Sequence, residues 1–319
     1  MKPFDLIGLF SAGLVALGPT AVFGQDYPVK PIRIVTSGVG GGNDFVTRLF
    51  AQGLTANLGQ QVIVDNRGGG IAPGQAVYQA PPDGYTLLVA ANNLWTGPLL
   101  YKTPYDPLKD FAPITLPTRA PYILVVHPSL PVRSVKDLIA LAKARPGELN
   151  YSSTTTGSAS HIAAESFKHM AGVNIVRIPY KTSAQEAVDL VSGQVQLTFF
   201  DAGTATRFMK TGSVRALAVG SAQPSPLFPG LPTIAAAVPG YEAKPQINGV
   251  FAPSRTPETI IRKLNQEIAR VLEMPDVKEK LRAAGVETVG TTPEQFAAEI
   301  RAEIAIMSKV IKAAGIRVE

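Results

Sequence analysis

The chain has 319 residues, 45% of them hydrophobic and 17% charged, enough apolar content for a substantial core shared between about two domains. Its 30 basic residues exceed the 24 acidic ones for a net charge of +6, but they are scattered, which argues against nucleic-acid binding and mildly favours an anionic ligand. Cysteine is absent, so disulfides, a thiol nucleophile and cysteine metal ligands are excluded.

Met1 and Lys2 precede an apolar run from Leu6 to Leu17, too short for the ~20 residues that span a bilayer, and small residues including Val22 and Gly24 follow before Gln25. The pattern predicts a cleaved signal peptide over residues 1–24 and a periplasmic protein, with an uncleaved anchor as the alternative. No later segment has eighteen uninterrupted apolar residues.

IRIVT, from Ile32, is a β-branched run of buried-strand type that leads into SGVGGGND. Asn43 or Asp44 is placed to cap a helix whose apolar positions Phe45, Leu49, Phe50, Leu54 and Leu58 recur at helical spacing up to Gly59. A second strand, VIVDN, a helix through Gln75 to Gln79, and a Pro81 to Gly84 turn into YTLLVA continue the alternation, which predicts a mostly parallel sheet.

The alternation resumes with YILVV from Tyr122, a helix from Ser134 to about Pro146, and LNYS, then reaches the loop TTTGSAS. A helix near Ser160, the strand VNIVRI, a helix with a Ser183 to Glu186 capping box, and the strands VQLTFF and VRALAV complete a second α/β unit. Residues 224–245 are proline-rich and read as an ordered excursion or return linker. After INGVFAP the chain is helical, with starts at Thr256-Pro257 and Thr292-Pro293 and stops at Gly285 and Gly315.

Enzyme signatures are missing: there is no P-loop, no G-x-S-x-G elbow and no HExxH. His127, His161 and His169 stand apart from acidic residues, so neither a metal nor a cofactor is expected. A dinucleotide-binding enzyme is the main competitor, with a strand, a glycine turn, a helix and a second strand ending in Asp65. The spacing Gly38-x-Gly40-x-x-Asn43 lacks the third glycine that lets helix and strand pack closely.

The two glycine loops offer backbone N–H groups at helix N-termini, donors suited to a carboxylate. In the second loop Thr155, Thr156, Ser158 and Ser160 add hydroxyls and Gly157 permits close backbone approach, although a plain helix cap explains the same residues. Asp44, His161 and Asp201 are isolated polar residues at strand ends, where ligands of open α/β sheets collect, and structural roles fit Asp44 and His161 equally.

Taken in order, YPVKPIRIV, LGQQVIVDNRGGG, PPDGYTLL, YDPLKDFAPI, GELNYSS, PYKTSAQEAVDLVSGQVQL, VRALAV, GVFAP and TTPEQFAAEIRAEI resemble the Bug or TctC-type extracytoplasmic solute receptors of tripartite tricarboxylate transporters, from about Tyr27 onward. The resemblance implies a two-domain periplasmic-binding-protein fold of α/β class, a type II-like Venus flytrap with a ligand cleft between the domains. Domain 1 would comprise residues 25–120 plus 248–319, and domain 2 residues 121–247.

The function it implies is capture of a small organic carboxylate and delivery to integral membrane subunits of the transporter, without catalysis, by a monomer. Sensing for a membrane signalling partner is the alternative. Carried over by position, ligand binding falls to Gly41, Gly42, Asn43 and Asp44 of one loop, to Thr155, Thr156, Gly157, Ser158 and His161 of the other, and to Asp201 after VQLTFF. Asn92 and Trp95 stand where a third loop enters the cleft, with Trp95 either an aromatic wall or a core anchor. The lead Thr36-Ser37-Gly38-Val39 and the pair Ile247-Asn248 depart from the family pattern, so ligand identity does not transfer.

Overall fold

A computed structural model describes residues 27–68, 70–154 and 156–313. The expected signal peptide, Thr155 and the Gly315 helix stop lie outside the described residues. No helix of the described chain is long and apolar enough to cross a membrane.

The first lobe begins with β1 (Ile32–Thr36), α1 (Gly42–Leu58), β2 (Val62–Asn66), α2 (Ala72–Tyr78), β3 (Thr86–Ala91), the short α3 (Asn93–Thr96) and β4 (Phe111–Ala120). The chain then enters a second lobe of β5 (Tyr122–Val126), α4 (Val135–Ala144), β6 (Asn150–Ser153), α5 (Ala159–Ala171), β7 (Val176–Pro179), α6 (Ser183–Val191), β8 (Leu197–Asp201), α7 (Ala202–Lys210) and β9 (Arg215–Val219). It returns through β10 (Gln246–Pro253) and ends with α8 (Glu258–Glu273), α9 (Pro275–Ala283), β11 (Glu287–Thr288) and α10 (Pro293–Ala313).

Two sheets result, ordered β11-β4-β10-β3-β1-β2 and β7-β6-β8-β5-β9. Each is mixed, which corrects the mostly parallel expectation. The βαβ units pair in parallel, whereas β4, β10 and β11 in one sheet and β5 and β9 in the other run antiparallel to their neighbours. The reason lies in the crossings between lobes. β4 leaves the first sheet and β10 re-enters it, and the two pair antiparallel with Gln246 opposite Ala120. A chain that departs and returns along one line must contribute strands of opposite sense.

The local signals act as their chemistry requires in most places. Ser134 caps α4 by accepting the Asp137 N–H, and Thr292 and Gln295 form a reciprocal capping box at the start of α10. Three starts differ from the sequence reading. Gly41 precedes α1 with no side-chain cap, Pro257 stands at the cap position of α8, and Thr182 rather than Ser183 caps α6. Glu186 is thereby released from the expected capping box and turns inward. The VNIVRI strand is also shorter than expected, because only Val176–Pro179 pairs with β6.

Helix α1 packs closely on α8, since a Cβ on Gly53 would stand 2.5 Å from Val271. One apolar cluster gathers Trp95, Phe251, Phe296 and their neighbours in the first lobe, another surrounds Tyr151, Phe167, Phe199 and Tyr241 in the second, and the largest, from Val46, Phe50 and Leu264 to Ile123, Phe200 and Ala205, runs through both. The lobes also touch. Ile162 of α5 meets Met307 and Ile311 of α10 beside Leu99 and Leu100, and Arg207 of α7 donates to the Gly40 carbonyl at 3.3 Å.

Candidate functional site

Between the lobes lies a cavity of about 120 Å³. Its first-lobe wall includes Ser37, Gly38, Gly41, Gly42 and Asn43 of the β1–α1 loop and Asn92 beyond β3; its second-lobe wall includes Thr154, Ser158, Ser160, Lys181, Thr182, Ser183, Glu186 and Asp201. Strand ends meet here because each βα connection leaves the carboxyl edge of its sheet, and the two edges face one another. The N-termini of α1, α5 and α6 all contribute lining residues, so three helix ends present unsatisfied N–H groups and positive potential to one space.

The lobes approach closely at this point. A Cβ on Gly41 would stand 3.1 Å from Ser183 Oγ, and one on Gly38 3.3 Å from Thr182 Cγ2. A polar chain links the lobes through the crossing strands. Tyr122 Oη–H donates to Gln246 Oε1 at 3.2 Å, and Gln246 Nε2 donates to Asn43 Oδ1 at 3.3 Å. Asn248 Nδ2 in turn donates to Thr118 Oγ1 at 2.9 Å, which ties β10 to β4.

The sequence-derived candidates divide into those on the cavity and those behind it. Gly41, Gly42, Asn43, Asn92, Ser158 and Asp201 line it. Asp44 does not. Its carboxylate accepts from the Gly40 N–H and Asn66 Nδ2 and pairs with Arg48 at 2.9 Å. Burial pushes its carboxyl up, but these hydrogen bonds and the Arg48 charge outweigh burial and hold it below the usual carboxylate range. Asp44 therefore folds the glycine loop.

Asn92 borders the cavity, yet its polar atoms are spent on the fold. Oδ1 accepts from the Ile247 N–H at 2.8 Å, and Nδ2 donates to Glu303. Trp95 is a core anchor and not a cleft wall. It is 1% exposed, packs against Phe251 and Phe296 with ring centroids 5.9 Å away, and donates its indole N–H to Glu303 Oε2 at 2.9 Å. An aromatic ring this large is worth most when fully desolvated, provided its N–H finds an acceptor.

In the second loop Ser158 caps α5, its Oγ accepting the His161 N–H at 3.3 Å and lying 3.0 Å from Ser160 Oγ. Thr156, Gly157 and His161 stand behind this turn, outside the cavity lining. Gly157 has φ +79°, and a Cβ there would fall 2.2 Å from Leu100 of the first lobe, so the group that approaches its backbone is Leu100. Its N–H donates to His161 Nδ1 at 3.0 Å. Burial pushes the His161 imidazole down to about 4, assisted by the nearby Arg177 charge, so the ring is the neutral acceptor this bond needs.

Arg177 of β7 is a feature the sequence reading missed. Its guanidinium donates to Ser153 Oγ at 2.7 Å, Thr156 Oγ1 at 2.9 Å and the Thr154 carbonyl at 2.9 Å, which ties these three residues to β7. Lys181, Thr182 and Ser183 were missed as well. Lys181 is the one cationic side chain among the described lining residues.

Asp201 ends β8 and caps α7. Its Oδ1 accepts the Thr204 N–H at 3.0 Å and its Oδ2 accepts the Thr204 hydroxyl at 2.7 Å. Burial still pushes its carboxyl up. Beside it, burial also pushes the Glu186 carboxyl up, to about 7, against the hydrogen bond from Thr198. The cavity thus joins donor-rich loops to a pair of buried carboxyls. Asp65, the acid of the dinucleotide alternative, is instead engaged by Arg67 at 2.8 Å and Arg33 at 3.6 Å.

Comparison with known proteins gives this geometry a context. The model of the TctC family, described as the tripartite tricarboxylate transporter family receptor, matches residues 46–316. Protein BugT of Bordetella pertussis is 35% identical over 321 residues, covering 98% of both chains. Among solved structures, R. palustris Rpa4515 with adipate superposes with a TM-score of 0.88 at 39% identity, over 92% of this chain and 99% of that one. MatC from Rhodopseudomonas palustris with bound malate superposes with a TM-score of 0.83 at 27% identity, over 89% and 100%.

Proposed function

This chain belongs to the TctC family of tripartite tricarboxylate transporter receptors, a family of binding proteins and not enzymes, and on that footing we propose that it captures a small organic carboxylate in the periplasm and delivers it to the membrane subunits of a transporter. The convergence of three helix N-termini on one cavity between the lobes is the observation that carries the reading. A carboxylate placed there receives N–H and hydroxyl donors from both lobes at once, which favours the closed arrangement over an open one.

The residues proposed to meet the ligand are Gly41, Gly42 and Asn43 from the first lobe and Ser158, Ser160, Lys181, Thr182 and Ser183 from the second. Arg177, His161, Gly157 and Thr156 act through the turn they hold. The hinge is assigned to the two crossings, Pro121 and the residues just before Gln246, with the second domain running between them. Charge-assisted hydrogen bonds contribute roughly 1.5–3 kcal/mol each, so two or three of them less ordering costs reach about micromolar affinity.

A thermal-shift screen of the mature protein against mono-, di- and tricarboxylates, including adipate and malate, tests the assignment. An acid at about 100 times its dissociation constant adds roughly 2.7 kcal/mol to stability and raises the melting temperature by several degrees. A protein stabilised by no carboxylate, yet by another ligand class, would refute it.

A further inference from the structure

Glu186 lies in the first turn of α6, 3% exposed, on the wall of the cavity. Its Oε1 stands 2.7 Å from Thr198 Oγ1, and the same Thr198 hydroxyl stands 2.9 Å from the Ser152 carbonyl oxygen. A threonine hydroxyl has one proton to give and two lone pairs with which to accept. It cannot donate to both oxygens. Both contacts are satisfied together when Glu186 carries a proton, so that the carboxyl donates to Thr198 and Thr198 donates to Ser152. Among the described residues no ion pair engages Glu186, and the buried Ser152 hydroxyl lies beside its carboxyl.

We infer that Glu186 is a specificity-determining residue that turns a carboxyl oxygen toward the cavity and reads a hydrogen-bond donor on the ligand: a hydroxyl, an amine, or a second carboxyl that brings its own proton. The inference rests on the carboxylate-binding reading and deepens it. The cavity is then polar in an ordered sense, with N–H and hydroxyl donors for one carboxylate at the loops and an acceptor at the α6 wall for the other end. Asp201, a buried acid next to Glu186, disfavours a fully ionised second carboxylate against these two groups.

The titratable and charged groups around Glu186 are Asp201 at the end of β8, Arg177 on β7, Tyr180 and Lys181 before α6, and Tyr122 on β5. Arg177 is committed to the Ser153 to Thr156 turn, and Tyr122 donates to Gln246. Neither is free to neutralise the carboxyl, and burial favours the protonated form near neutral pH.

Two matched series of probes test this by titration calorimetry: butyrate, 4-hydroxybutyrate, 4-aminobutyrate and succinate, and the corresponding six-carbon acids ending with adipate. In the length that fits, the wild type is expected to bind the hydroxyl- or amine-ended acid about tenfold or more tighter than the methyl-ended one. Its affinity for the dicarboxylate should fall about tenfold or more between pH 6 and pH 8 as Glu186 and the ligand carboxyl lose their protons. Glu186→Leu should collapse the first difference, and Glu186→Gln, which keeps shape and an acceptor, should retain hydroxyl preference while removing the part of the pH dependence that Glu186 contributes, leaving only that of the ligand's own carboxyl. Unchanged ligand ranking in Glu186→Leu, or unchanged pH dependence in Glu186→Gln, would overturn the inference while leaving carboxylate binding in place. Absence of binding by the wild type across carboxylates would instead remove the reading beneath it.

Discussion

A Cβ built on Gly42 would stand 2.7 Å from Asp201 Oδ1 and 2.9 Å from Gln246 Nε2. Gly42 opens α1 in one lobe and Asp201 ends β8 in the other, so the missing side chain is what lets the lobes meet. Asp201 cannot step aside, because both of its oxygens are held by Thr204. Gly42→Ala is therefore expected to fold normally and to bind the acid found by the thermal screen about tenfold or more weakly, since part of the binding energy must separate the lobes. Small-angle scattering with saturating ligand should show a less compact particle than the wild type.

Ser158 has two duties, the cap of α5 and a hydroxyl on the cavity. Its replacement by alanine removes the acceptor for the His161 N–H, which costs about 1 kcal/mol of stability. It also removes a donor from the ligand, which weakens affinity about tenfold. Denaturant unfolding and calorimetry measure the two effects separately, and Ser158→Asn, a good cap of different shape, should recover the first and not the second.

Trp95 is the only tryptophan in the chain and lies in the core of the first lobe. Trp95→Phe keeps most of the packing but leaves Glu303 Oε2 without its donor, and a buried acceptor so abandoned costs roughly 1–3 kcal/mol. Ligand affinity is expected to change less than about threefold, because Asn92, the cavity residue on Glu303, keeps its second anchor at Ile247. Intrinsic fluorescence of the wild type accordingly follows unfolding far more strongly than it follows binding.

Two buried groups should make stability depend on pH in opposite directions. The folded-state pKa of His161 is depressed to about 4 from an ordinary 6.5, so the folded chain binds fewer protons than the unfolded one in that interval. Its contribution is present above pH 6.5 and is lost as pH falls toward 4. For Glu186 the folded-state pKa is raised from 4.5 to about 7, so its contribution is present below pH 4.5 and is lost as pH rises through 7. Glu186→Gln is expected to abolish the loss on the alkaline side, seen as a flatter melting temperature between pH 5 and pH 8. His161→Gln should flatten the acid side.

The fold was legible because its signals are local. β-branched runs mark β1 and β2, a glycine with φ of +65° ends α1, and Thr292-Pro293 announces α10. The cavity was legible at its two glycine-rich loops for the same reason. What escaped is long-range. Arg177 reads as one more charge in a strand until the chain brings it under the Thr154 to Thr156 turn, and Glu186 satisfies the spacing of a capping box that its burial against Thr198 overrules. Asp44, His161 and Trp95 have the residue types of a binding site, but the fold engages the Asp44 carboxylate, the His161 Nδ1 and the Trp95 indole N–H.

The pairing of Ala120 with Gln246 places the exit and the return of the chain side by side on adjacent antiparallel strands. The second lobe is thus an insertion whose two ends nearly touch, carried by a two-stranded ribbon that resists stretching and yields to twist. Such a joint permits one kind of movement, a swing about the ribbon. The swing is held in check by an apolar cluster that runs from Val46 and Leu264 in the first lobe to Phe200, Ala205 and Phe228 in the second, so the two halves share a core as well as a joint.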